Sequence, residues 1–91
     1  MPDTLPDTTL PKNTPVDLYD ATGISVATAI TVQNIGSTIV ELYSGLAAPV
    51  IGASGKRLIK PFETWQNDAS DAGAWAISPN TDGLINVGEV V

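Results

Sequence analysis

Few side chains in this sequence have the chemistry of a catalyst, and their spacing limits them further. There is no His and no Cys, which removes the imidazole base, the thiolate nucleophile and the soft-metal site. A Ser–Lys pair would be the remaining nucleophile, but Lys56 and Lys60 flank the predicted strand "RLI", where lysines belong in water. The loops "NDASD" and "PNTDG" bring carboxylates next to Asn, and such oxygen donors suit Ca²⁺. Neither follows the 12-residue calcium loop with its closing Glu, and Asp and Asn are ordinary turn formers. Trp65 and Trp75 point to a different chemistry, the stacking of sugar rings on an indole, with Asn67, Asp68 and Asp71 close by to bind hydroxyls. Both tryptophans lie in apolar or β-branched surroundings, and a chain with two Trp, two Tyr and one Phe needs its large rings for a core or a subunit interface. Phe62, Trp65 and Trp75 are therefore expected in the core or between subunits. No metal, cofactor or enzymatic activity is expected.

The elements that position these residues read as strands. "VDLYD" alternates Val16, Leu18 and Asp20 against Asp17 and Tyr19, and "ATG" follows as a turn. "ISVATAITVQN" is rich in β-branched residues and predicts one strand or two short ones. "NIGS" is a turn, and "STIVELYSG" a strand with apolar groups on both faces. "GLAAPVIGASGK" is a long connection with room for a short edge strand at residues 49–51. "RLIKPFETWQ" holds two short strands pivoting on Pro61, "AWAIS" another, and "LINVGEVV" the closing strand after a hairpin turn at "PNTDG". Regular turns and the lack of a 3.6-residue period predict an all-β fold: a small antiparallel β-sandwich or β-barrel, jelly-roll-like, over residues 15–91.

Ahead of it, "MPDTLPDTTLPKNT" places prolines at positions 2, 6 and 11, with Pro15 next. This spacing forbids helix and blocks a central strand. Residues 1–14 are expected to form an extended arm, reaching about 43 Å in polyproline geometry. Such composition also suits a solubilising tail, but Leu5 and Leu10 give it apolar teeth.

At 91 residues a globule buries only about 60–65% of the surface its unfolded chain exposes. With neither disulfide nor metal to add stability, oligomerisation is the remaining route. Four Lys and Arg against ten Asp and Glu give a net charge of −6, which disfavours nucleic acid and anionic membranes as partners. No apolar stretch reaches the roughly 18 residues of a membrane span, and no secretory signal opens the sequence. The expectation is a soluble protein made in a cytoplasm.

Three stretches carry a resemblance: "ITVQNIGSTIVELYSG", "GKRLIKPFETW", and "AWAIS" with "GLINVGEV". Over residues 31–90 the chain resembles the small β-domains of tailed-bacteriophage virions, the capsid decoration or cement proteins and head fibres. Such domains carry Gly after the Pro where this chain has Phe62. The resemblance implies a structural protein bound to the major capsid protein on the virion surface as an oligomer, a homotrimer. The arm then fits as a capsid-binding segment, with Leu5, Pro6, Leu10 and Pro11 as its contact residues and its backbone pairing with an exposed strand. The alternative is a lectin-like module that binds glycan through Trp65 or Trp75.

Overall fold

The computed structural model describes residues 6–26, 28–45, 47–50, 52, 54–67 and 73–89. Among them run eight strands and one short helix: β1 (Thr8–Leu10), β2 (Val16–Asp17), α1 (Leu18–Thr22), β3 (Ile30–Asn34), β4 (Val40–Ser44), β5 (Arg57–Ile59), β6 (Thr64–Asn67), β7 (Ala74–Ile77) and β8 (Gly83–Glu89). They form two four-stranded antiparallel sheets, ordered β1-β8-β3-β6 and β2-β7-β4-β5. The protein is mostly β, as its period-two patterning predicts.

Alternation along the strands builds the core. Leu10, Ile30, Val32, Ile85 and Val87 from the first sheet and Val40, Leu42, Ile59, Ala74 and Ala76 from the second bury their side chains in one cluster. Leu18 and Tyr19 from α1, with Ile24 just beyond it, belong to the same cluster. A chain of hydrogen bonds, buried at Asn67 and Tyr19 and reaching the surface at Ser44, crosses it. The Ser44 hydroxyl donates to Asn67 Oδ1 (2.8 Å), Asn67 Nδ2 donates to the Tyr19 hydroxyl (2.9 Å), and that hydroxyl donates to the Thr28 carbonyl (2.7 Å). Both sheets and α1 are thereby tied together, and each buried group has the partner that its desolvation demands.

Several expectations need correction. The strand read through "VDLYD" stops at Asp17, which accepts hydrogen bonds from the amides of Tyr19 (3.0 Å) and Asp20 (3.3 Å) and caps α1. Gly23, in the left-handed conformation, ends the helix by donating to the Tyr19 carbonyl. An Asp cap and a Gly stop outweigh an alternation only five residues long. Of "ISVATAITVQN", only Ile30–Asn34 is strand. Residues 49 and 50 are not in a strand, and residue 51 lies outside the described residues. The "PNTDG" turn is no hairpin, because β7 and β8 belong to different sheets.

The largest correction concerns the arm. Thr8–Leu10 pairs antiparallel with β8, Leu10 standing opposite Gly83, and Leu10 is 0% exposed. It is a core residue, not a contact residue for a capsid. The Lys12 amide donates to Asp82 Oδ1 (2.9 Å) and the Asn13 amide to the Ser78 carbonyl (2.8 Å). Residues 8–13 are thus stitched to the folded unit rather than free of it. The prolines permit this because they flank β1 rather than lie within it, and β1 is an edge strand, where proline is tolerated.

Candidate functional site

Three residues singled out from the sequence, Phe62, Trp65 and Trp75, occupy three different settings. Trp65 stands opposite Val32 on the inward side of β6, half-buried and packed against the core. Its indole lines a groove of about 350 Å³ together with Leu42, Ser44, Gly55, Arg57 and Gln66. This groove opens where β5 and β6, each the outer strand of its sheet, leave the core side accessible. Arg57 has no carboxylate partner among the described residues. The groove therefore offers one aromatic ring, one guanidinium and two neutral polar side chains.

Trp75 lies opposite Tyr43 on β4 and Asp17 on β2, and its indole N–H donates to the Gly45 carbonyl (3.1 Å). That bond removes the donor a sugar would use. Tyr43 beside it is 7% exposed. Its hydroxyl donates to Glu41 Oε1 (3.2 Å), and Glu41 Oε2 meets Lys56 Nζ at 3.9 Å. Burial, and then the Glu41 carboxylate, hold the Tyr43 phenol above its ordinary range near 10.0. Lys56, considered above as a partner for Ser, is engaged in this cluster.

Phe62 is 73% exposed and sits at a backbone φ of 71°. It occupies a tight turn at residues 60–63, with Pro61 before it and the Glu63 amide donating to the Lys60 carbonyl (3.0 Å). The turn is held from several sides. Glu63 Oε1 accepts from the Lys60 amide (2.7 Å), Gln33 Nε2 donates to the Phe62 carbonyl (3.3 Å), and the Phe62 amide donates to the Asn34 carbonyl. Asn34 is itself fixed: its Nδ2 donates to the carbonyls of Thr38 (2.7 Å) and Ile59 (3.0 Å), and its Oδ1 accepts from the Gly36 amide (3.1 Å). Pro followed by a residue of positive φ is the signature of a type II turn, whose third position favours Gly. A phenylalanine stands there instead.

Among the proposed attachment residues, Pro6 and Pro11 are exposed, Leu10 is buried, and Leu5 lies outside the described residues, as do Asp68 and Asp71. Asp82, from the second calcium-like loop, is occupied by the Lys12 amide. No group of three or more Asp or Glu could hold a metal ion among the described residues. Arg57, Ser44 and Asn34 were missed by sequence reasoning. For Asn34 there was a signal, since Asn two residues ahead of Gly is a common side-chain-bonded turn.

No protein-family model matches this chain, and no curated protein or solved structure matches it significantly.

Proposed function

We propose that this chain is a structural protein of a tailed-bacteriophage virion, a decoration or cement protein that binds the major capsid protein on the capsid exterior as an oligomer, a homotrimer. We propose also that its fold is an eight-stranded jelly-roll sandwich. The observation that carries this reading is the nesting of the antiparallel pairs: β1 with β8, β2 with β7, β3 with β6 and β4 with β5. A long hairpin folded between β4 and β5 and then rolled up produces this set, with β3–β8 and β4–β7 joining it into two sheets. Double-sheet jelly rolls recur in viral capsid and lectin domains. That is an analogy of fold, which narrows the class of function and leaves the partner to the surface.

The surface supports binding over catalysis. The described residues form no nucleophile–base pair, and the acidic balance of −6 disfavours a nucleic-acid partner. With Leu10 withdrawn into the core, attachment through the N-terminal segment falls to residues 1–7, which include Leu5 and Pro6, and to the exposed Pro11. Capsids stripped of surface proteins should take up this chain at a fixed copy number when mixed and sedimented. Deleting residues 1–7 should reduce that uptake and leave the melting temperature close to wild type, since the bond it removes, from Asn86 Nδ2 to Asp7 Oδ1 (3.0 Å), is solvent-exposed. No co-sedimentation at micromolar concentration refutes the virion function, and full uptake after the deletion moves attachment to the globule.

The groove at Trp65 favours a second function, glycan binding. An indole beside a guanidinium with no carboxylate partner among the described residues suits an acidic sugar, the ring giving apolar contact while the carboxylate meets Arg57. Titration with sialylated and uronate oligosaccharides tests it, and an equal response from the wild type and Arg57→Gln refutes it.

A further inference from the structure

The turn at residues 60–63 holds an exposed aromatic ring where the backbone favours glycine, and nothing in the fold gains from the ring. Phe62 is outside the core cluster, and its φ of 71° belongs to the left-handed region that β-carbons disfavour. Strain of this kind persists where the surroundings over-determine it and where it serves contact or switching. The two backbone bonds of Phe62 to β3 and the Lys60–Glu63 contacts supply the over-determination. Among the described residues the exposed ring has no place in the core, which leaves it available to another molecule.

Charge distribution identifies the partner. Three of the four basic residues, Lys56, Arg57 and Lys60, lie on or beside β5, one outer strand of the second sheet. Leu58 in the same strand is 56% exposed. The opposite outer strand is β2, followed by α1, and there Asp17 and Asp20 rim a depression of about 330 Å³ floored by Tyr19, Gly23, Ile24 and Val26. Val26 is 54% exposed, and the depression is open to solvent. One edge of the sheet thus carries Arg57 and Lys60 just ahead of the ring, with Lys56 already held by Glu41, and the other a shallow depression of mixed polarity beside carboxylates.

We propose that the molecule associates head to tail with copies of itself, Phe62 of one copy seating in the Asp17–Val26 depression of the next while Lys60 faces Asp20. Such a contact joins unlike surfaces and closes into a ring when the rotation permits. It rests on the oligomeric part of the function proposed above and does not depend on the capsid.

The test uses the full chain and sedimentation equilibrium with five variants. Phe62→Gly and Phe62→Ala both abolish association at concentrations where the wild type is oligomeric. Compared with each other as monomers, Phe62→Gly melts higher than Phe62→Ala, the reverse of the usual order, because only Gly relaxes the left-handed turn. Lys60→Asp and Asp20→Lys each weaken association by about fivefold or more, and the double exchange restores most of it. Retained association in the Phe62 variants, or a double exchange no better than its singles, overturns the contact. A wild type that stays monomeric at hundreds of micromolar overturns the oligomer itself along with it. Capsid uptake lost in Phe62→Gly with self-association intact assigns the ring to the capsid and overturns the proposal in its stated form.

Discussion

Leu10→Ala separates an arm from a strand. In an arm the side chain touches solvent, and its truncation leaves folding stability unchanged. In β1 it is fully buried, and buried Leu→Ala changes cost about 2–5 kcal/mol. The local structure places the cost above the lower bound. Leu10 pairs with Gly83, and a β-carbon built on that glycine would lie 3.6 Å from Leu10 Cβ. The cavity floor is therefore backbone, which collapses less readily than side chains. A loss of about 3 kcal/mol lowers the melting temperature of a domain this size by roughly 12–24 °C. Urea denaturation followed by tryptophan emission measures it, with exposed Thr9→Ala as the control, expected within about 0.5 kcal/mol of wild type. The truncations extend the test. Removing residues 1–7 spares β1, whereas removing residues 1–13 takes the strand, Leu10 and the bonds from Lys12 and Asn13 to Asp82 and Ser78. That sum is comparable with the whole stability of a small domain, about 5–15 kcal/mol, so the longer truncation should not fold. A Leu10→Ala variant indistinguishable from wild type, or a folded 1–13 deletion, refutes the placement of β1.

Three further outcomes follow from the interior and the Tyr43 cluster. Asn67→Ala breaks the bridge from Ser44 to Tyr19 and should cost about 2–4 kcal/mol in chemical denaturation; a cost below about 1 kcal/mol denies the bridge a structural role. Gly83→Ala places a β-carbon 2.8 Å from Ser78 Oγ and 3.0 Å from Ser78 Cβ, which should destabilise by about 1–3 kcal/mol, and a neutral result shows that this corner yields. The raised Tyr43 phenol, governed by burial and then by Glu41, means the folded state holds its proton more tightly than the unfolded state. That stabilising contribution is complete below the ordinary tyrosine pKa near 10.0 and is lost as pH rises through the higher folded value. Tyr43→Phe should flatten the alkaline fall in melting temperature, and an unchanged slope assigns it elsewhere.

Alternation of four residues or more picked out most of the strands but not all of them correctly, since the five-residue alternation of "VDLYD" turns into helix at Leu18. β3, β4, β7 and β8 follow the β-branched and apolar spacing of their segments, and the pivot at Pro61 separates β5 from β6 as expected. Sheet membership was not legible, because the turn chemistry at "PNTDG" or at Pro61 is the same whether the next strand pairs with the last or crosses to the other sheet. α1 covers only five residues, too short for helical periodicity, although its Asp17 cap and Gly23 stop were on the page to be read. β1 was hidden for another reason: Leu10 finds its place through Gly83, a partner from the far end of the chain. Phe62 was marked by its place after Pro61, but the sign of its φ and its exposure come only from three dimensions. The groove that joins Arg57 to Trp65 likewise exists only because two outer strands of different sheets adjoin.

The nested pairing also leaves four outer strands, β1, β6, β2 and β5, and exposed strand edges invite uncontrolled pairing between molecules. Each has a local device against it. β1 is three residues long between Pro6 and Pro11, and β2 is two residues long and runs straight into α1. β5 is also three residues long, preceded by Lys56, begun by Arg57 and closed by Lys60 and Pro61. β6 follows the rigid turn at residues 60–63. Short length, proline and charge are the usual means of blunting an edge. Association by strand addition is thereby disfavoured on this globule, which shifts contact with other molecules to side chains that project from it and to the segment before β1. The first route favours Phe62, whose ring projects while its backbone is bound to β3. The second favours the residues ahead of Asp7, whose carboxylate accepts from Asn86 Nδ2 (3.0 Å) just before a strand anchored by Leu10.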